Sequence, residues 1–323
     1  MPAPRVRTVR RLGAALLAFT AACASGRSTG AAQSLPELDG DRLLGDVRHL
    51  SADSLEGRAT GTPGGLKARA YVVDAFRRAE LTPFAGGYER PFSTTARAGS
   101  PAAAGANVVG YLRGTERPDR YIVVTAHYDH LGVRDGQTFN GADDNASGTA
   151  ALIAFAGYFA KHPPRHSIIF AALDAEEVGL QGARAFVEGP PVDRSALVLN
   201  VNMDMVSHSA RGEIYAAGTH HTPALRPIVE RVAARAPVKL LLGHDSPSLP
   251  ASDDWTTQSD HGAFHAARIP FVYFGVEDHP DYHKPSDDFE TITPLFFVSA
   301  ARTIADFIAE ADRTLAGGGA GSR

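Results

Sequence analysis

Apolar positions recur at helical spacing over residues 43–50 and 66–81, the second stretch containing KARAYVVDAFRRAEL, and this spacing predicts two amphipathic helices. Between them SLEGRATGTPGG is too rich in glycine and turn formers for helix or strand and reads as an ordered loop. After residue 105 the period changes. The apolar runs ANVVGYL, RYIVVTA, HSIIFAAL and ALVLNVNM alternate with a helix through TAALIAFAGYFA and a short helix after Gly179. GEIYAAG, a helix near Pro223 to Arg235, the strand IPFVYFG and a closing helix from Pro294 to Leu315 follow. Strands so uniformly apolar are buried on both faces, which predicts an α/β fold: one domain, residues 38–315, with a mixed, mostly parallel sheet sandwiched by helices.

The ends of the chain read differently. Arg5, Arg7, Arg10 and Arg11 precede the apolar run Leu12–Ala22, the order of a secretory signal, and that run is too short to remain as a membrane span. Cys23 closes it, and Thr20-Ala21-Ala22-Cys23 resembles a bacterial lipobox with Thr20 in the place usually held by Leu. Residues 1–23 are therefore expected to be a lipoprotein-type signal peptide. The expected product is exported, either as a cell-envelope lipoprotein attached through lipidated Cys23, or as a secreted or periplasmic protein cleaved after Ala22 or Ala24. The pair Arg10-Arg11 hints at twin-arginine export. Residues 24–37 read as a flexible tether and 316–323 as a disordered tail.

Cys23 is the sole cysteine, which excludes an internal disulfide and a thiolate zinc site, so any metal ligands must be His and carboxylate. With 32 Lys and Arg against 36 Asp and Glu, the net charge of -4 provides no basic field for a nucleic acid.

Ligands of open α/β sheets bind beyond the carboxyl ends of the strands, and the polar clusters obey that rule. YIVVTA runs into His127-Tyr128-Asp129, where Asp129, two residues on, could accept the second ring N–H of His127. GADDNASG opens into an apolar helix; Asp144 or Asn145 could cap it, the flanking glycines point to close approach of the backbone to something bound, and a carboxylate here can bridge two cations. Glu176 and Glu177 follow a buried strand and repel each other unless a cation or a proton intervenes; neighbours on a turn project differently, so one can ligate a metal while the other serves as general base. Asp204 ends an apolar strand, where an uncompensated carboxylate is costly and a metal is its natural partner. Tyr282 and His283 lie in DYHKPSDD. His261 and His265 of SDHGAFHAARIP compete with His283 as ligands, His265 reading better as a capping or exposed residue near a helix end.

His127-x-Asp129, GADDNASG, Glu176-Glu177 with VGLQGA, Asp204 and DYHKPSDD together resemble the co-catalytic zinc aminopeptidases of the bacterial leucyl aminopeptidase or aminopeptidase Y type, related to glutamate carboxypeptidase and glutaminyl cyclase. EGRATGTPG is similar to an N-terminal motif of many bacterial members. The resemblance runs from about residue 40 to the end and implies the zinc aminopeptidase, phosphorylase/hydrolase-like fold. It implies two zinc ions, one on His127 and Asp204, the other on Glu177 and His283, bridged by Asp144 rather than Asp143, with a cis peptide between Asp144 and Asn145. It further implies a water activated between the metals, Glu176 as the base that passes its proton to the leaving amine, and Tyr282 steadying the oxyanion. Asp260 is a candidate substrate contact. The activity so implied is removal of N-terminal residues from peptides, with a glutaminyl cyclase or a carboxypeptidase as alternatives.

Overall fold

The computed structural model describes residues 1–4, 35–96 and 102–315. The chain divides into Met1–Ser34 and Leu35–Arg323, and every helix and strand described belongs to the second unit. Residues 5–23 of the expected leader, Cys23 among them, residues 24–34 of the expected tether, and the tail 316–323 lie outside the described residues.

The helices are α1 (Gly40–Leu50), α2 (Pro63–Arg78), α3 (Gly148–Lys161), α4 (Gln181–Glu188), α5 (Arg226–Ala233), α6 (His261–Ala266) and α7 (Pro294–Thr314). The strands are β1 (Thr82–Pro83), β2 (Glu89–Ser93), β3 (Ala104–Leu112), β4 (Arg117–His127), β5 (Gly132–Arg134), β6 (Gln137–Phe139), β7 (His166–Leu173), β8 (Leu197–Met203), β9 (Glu213–Ala217), β10 (Lys239–Leu242) and β11 (Phe271–Gly275). Local chemistry sets several starts. Asp39 accepts the Arg42 N–H ahead of α1, and Thr62 accepts the Gly65 N–H ahead of α2, whose first residue is a proline.

Nine of the described strands form one mixed sheet in the order β1-β3-β7-β4-β8-β11-β9-β10, with β2 also on β3. Its centre, β7-β4-β8-β11, is parallel throughout. All eight residues of β7 and all five of β11 are buried; the apolar run Ile168–Leu173 of β7 suits this, and its first two residues, His166 and Ser167, are buried with hydrogen bonds to Asp312 and Pro118 O. Alternate residues serve opposite faces. Ile122, Val124 and Ala126 pack with α1, α2, α3, α5 and α7, whereas Val123, Ile169 and Leu173 pack with α4 and α6. The sheet is thus covered on both sides, as the apolar strand pattern predicts.

Several elements are absent from the sequence-based expectation. The loop after α1 contains a 3-10 turn, Asp53–Arg58, with Glu56, Gly57 and Arg58 all at positive φ, and α2 begins within its last residues at Pro63. Strands β5 and β6 form a separate hairpin about Asp135-Gly136, both residues left-handed, and β10 adds a short edge.

Candidate metal centre

Four adjacent parallel strands deliver the polar residues to one end of the sheet. His127 is the last residue of β4, Glu176 and Glu177 lie just past β7, Asp204 follows β8, and His283 comes from the loop after β11. Asp144 arrives from the turn Ala142–Ser147 before α3. The peptide Asp144–Asn145 is cis, as the resemblance implies.

Asp144 lies between two groups. Its Oδ1 is 3.3 Å from His127 Nε2, which is also 3.2 Å from Asp204 Oδ1. Its Oδ2 is 3.1 Å from His283 Nε2, which is 3.4 Å from Glu177 Oε2. Two donors each about 2.0–2.1 Å from a tetrahedral zinc stand about 3.3 Å apart, so all four separations suit pairs of ligands sharing an ion. The charges point the same way. Burial, reinforced by neighbouring carboxylates, holds the Glu176 and Glu177 carboxyls well above the usual range. It likewise pushes Asp260 up to about 8, with Asp129 and Asp204 acting in the same direction and His127 against it. So many crowded acids retain protons unless cations enter, and the donor set of imidazoles and carboxylates is one that zinc accepts.

The helix-capping alternative is resolved by Asn145, whose Oδ1 accepts the Gly148 N–H and whose Nδ2 donates to Met203 O. Asp144 is thereby left free. The glycines of GADDNASG, however, do not face a bound group. A Cβ on Gly141 would lie 2.0 Å from Asp144 O, and one on Gly148 2.3 Å from Asn145 Oδ1, so both are required by close approach within the fold itself.

Asp129 also departs from expectation. His127 Nδ1 lies 3.1 Å from the backbone carbonyl of Asp129, closer than the 3.7 Å to its carboxylate. That carboxylate instead accepts the N–H groups of Glu176 (3.1 Å) and Glu177 (3.4 Å), fixing the turn that carries both acids. Asp129 therefore supports the two glutamates more directly than it supports the histidine.

Tyr282 stacks on His283 with ring centroids 4.0 Å apart, and its hydroxyl is held protonated by burial and by Asp144, Asp204 and Glu177. Asp260 is buried with both carboxylate oxygens lacking hydrogen-bond partners, in the field of His127, Asp129 and Asp204. His261 is no competitor for the centre: its Nε2 is 2.7 Å from Trp255 O and its ring packs on Tyr273 and Phe271. His265 is in the last turn of α6, beside His221.

Four contributors escape the sequence reading. His130 is buried with Nδ1 2.7 Å from Glu177 Oε1, and burial drives its pKa down to about 3. Its only sequence signal is its place three residues after His127. Asp287 accepts the Asp143 and Asp144 N–H groups at 2.9 and 3.0 Å, tying DYHKPSDD to the central turn. Asp143, not a bridge, is held by Ser207 and lies 3.1 Å from His279 Nε2. Arg58, from EGRATGTPG, donates to the carbonyls of Leu50, Tyr128, Asn140 and Gly141, bracing the loops on either side of the centre from beneath.

Comparison with known proteins adds three relations. The profile described as peptidase family M28 matches residues 107–308. Aminopeptidase YwaD of Bacillus subtilis is 30% identical over 198 residues, 58% of this chain and 40% of that protein. A probable glutamate carboxypeptidase of Arabidopsis thaliana is 29% identical over 214 residues, 59% of this chain and 28% of that protein. The chain thus spans less than half the length of these curated relatives. Among solved structures, the glutaminyl cyclase of Porphyromonas gingivalis superposes with a TM-score of 0.70 at 17% identity, covering 85% of this chain and 99% of that one, which establishes a shared fold.

Proposed function

Since the chain belongs to peptidase family M28, we propose that it is a zinc-dependent exopeptidase that removes N-terminal residues from peptides. The observation that carries this reading is the placement of Asp144, one carboxylate oxygen 3.3 Å from His127 and the other 3.1 Å from His283. One zinc would be held by His127, Asp204 and Asp144, the other by Glu177, His283 and Asp144. Bound there, zinc supplies Lewis acidity, polarising a peptide carbonyl and lowering the pKa of water.

The protein's own groups divide the remaining work. Glu176, poised by the Asp129 contact to its N–H, takes the proton of the attacking water and returns it to the leaving amine. Tyr282 donates a hydrogen bond from its hydroxyl to the oxygen that gains negative charge. Asp260, buried with both carboxylate oxygens lacking hydrogen-bond partners, is the candidate to receive the free ammonium that aminopeptidase action requires.

The test is hydrolysis of leucyl, arginyl, glutamyl and glutaminyl N-terminal substrates, alongside N-blocked peptides, by wild type and Glu176→Gln with zinc measured in each. The variant is expected to retain two zincs and lose about 10²- to 10⁴-fold in kcat. Full activity in that variant removes Glu176 as base, and activity indifferent to chelation removes the metals. Cyclisation of glutaminyl peptides without hydrolysis would replace the peptidase reading with a transferase one. We further propose that the protein is exported under the leader read in residues 1–23 and is anchored through lipidated Cys23.

A further inference from the structure

Resting on the peptidase reading, in which Glu176 is the base, we propose that Thr60, in the segment EGRATGTPG, is a positioning residue for that glutamate. It acts through two buried carboxylates, Asp174 and Asp129, which between them hold the turn that carries Glu176. The segment thereby has a task in the reaction, although it lies far upstream of the base in sequence.

Three successive backbone N–H groups of that turn go to side-chain carboxylates. Asp174 Oδ1 accepts that of Ala175 at 2.9 Å, and Asp129 accepts those of Glu176 and Glu177 at 3.1 and 3.4 Å. The turn needs such support, because Ala175 is at φ 60, a left-handed conformation that is costly for a residue with a Cβ. Both carboxylates are buried, and burial together with the charge of Asp129 raises Asp174 to about 6. Thr60 Oγ1 reaches both of them, 2.8 Å from Asp174 Oδ1 and 3.4 Å from Asp129 Oδ2. A hydroxyl has one proton, and the shorter separation directs it to Asp174, onto the same oxygen that receives the Ala175 N–H.

The segment is tied down on both sides of Thr60. Arg58 Nε donates to Tyr128 O at 2.9 Å, and Thr62 Oγ1 donates to Ala59 O at 2.6 Å. Asp174 is fixed at its other oxygen as well, Oδ2 accepting the Ala106 N–H at 3.0 Å and lying 2.8 Å from the Tyr128 hydroxyl. Asp129, by contrast, has a second use within reach, since its Oδ1 is 3.7 Å from His127 Nδ1. Without the Thr60 proton, Asp174 loses a donor and meets the charge of Asp129 less well compensated, and Asp129 is free to turn from the glutamates toward His127. Glu176 then loses its fixed origin, although nothing that touches substrate has been removed.

The experiment compares Thr60→Val, Thr60→Ala and Thr60→Ser with wild type on the best of the N-terminal substrates named above, measuring kcat and KM separately, zinc per chain and the urea unfolding midpoint. Valine keeps the shape of threonine without its hydroxyl, and alanine repeats the loss where the extra methyl does not fit. Both are expected to lose about 10- to 100-fold in kcat, the scale set by a small misplacement of a catalytic group. KM, zinc content and midpoint are expected to stay near those of wild type, and serine to recover most of the rate. A role confined to folding would lower the midpoint and leave kcat per folded chain unchanged, which overturns the proposal. So does a wild-type kcat in the valine and alanine variants, or a loss that serine does not recover. Zinc lost in step with activity also overturns it, because the hydroxyl then serves the proposed ligand Glu177 and not the base. A wild-type protein that hydrolyses none of the N-terminal substrates instead defeats the peptidase reading, and the positioning role with it.

Discussion

Among the described residues Arg58 is one of the largest fully buried side chains, and no carboxylate among them forms an ion pair with it. Asp144, Asp287, Asp129 and Glu177 act on it from a distance while burial pulls its pKa down to about 10, so it stays a cation. Its direct partners are four backbone carbonyls. Arg58→Met would leave these acceptors unpaired in the interior, and a loss of about 3 kcal/mol or more in unfolding free energy is expected from chemical denaturation. Arg58→Lys should recover little, because an ammonium cannot reproduce the planar fork. An undiminished midpoint in both variants would refute the bracing role. Beyond its place in EGRATGTPG nothing in the sequence marks this arginine as buried, since an Arg within a glycine-rich loop ordinarily points to solvent. His127, Asp144, Glu177 and Asp204 are legible because each lies close to an apolar strand or helix that has no use for a charged or polar side chain, whereas His283, in the polar loop after β11, is set apart from His261 only by the family resemblance. His130 is not legible, because a second histidine beside His-x-Asp reads as a duplicate of the first.

At the scale of elements, α5 and α7 are joined by a charged seam rather than by apolar contact alone. Glu310 on α7 accepts from Arg231, Arg235 and Arg313, and although burial opposes ionisation these donors bring its pKa from 4.5 to about 2. A carboxyl depressed on folding stabilises the native state above its unfolded pKa, and that contribution is lost as pH falls from about 4.5 through about 2. Glu310→Gln is therefore expected to lower stability at neutral pH and to flatten the fall in unfolding free energy across that acid window. Parallel pH-dependent slopes for the two proteins would exclude the seam as a source of acid sensitivity. The central strands and the long helices are readable from period alone because burial on both faces forces continuous apolar sequence in β7 and β11. Edges carry no such constraint. β10 is largely part-exposed, and β2 alternates between exposed and half-buried positions with a proline in its middle, so neither generates a clear period. The β5–β6 hairpin is announced only by its Asp-Gly turn.

For the whole molecule, no helix among the described residues is long and apolar enough to cross a membrane. The proposed anchorage is through Cys23, and Cys23→Ser is expected to move the protein from the membrane to the soluble fraction with kcat unchanged. Retention in the membrane fraction would refute lipid attachment at that residue. The centre itself gathers its residues from the ends of β4, β7, β8 and β11 and from the turn before α3, so its first proposed ligand is His127 and its last His283. A ribosome must release nearly the whole fold before the final imidazole emerges. An unfinished or truncated chain consequently lacks the last proposed ligand, and the proposed centre stays incomplete until nearly the whole fold has been made.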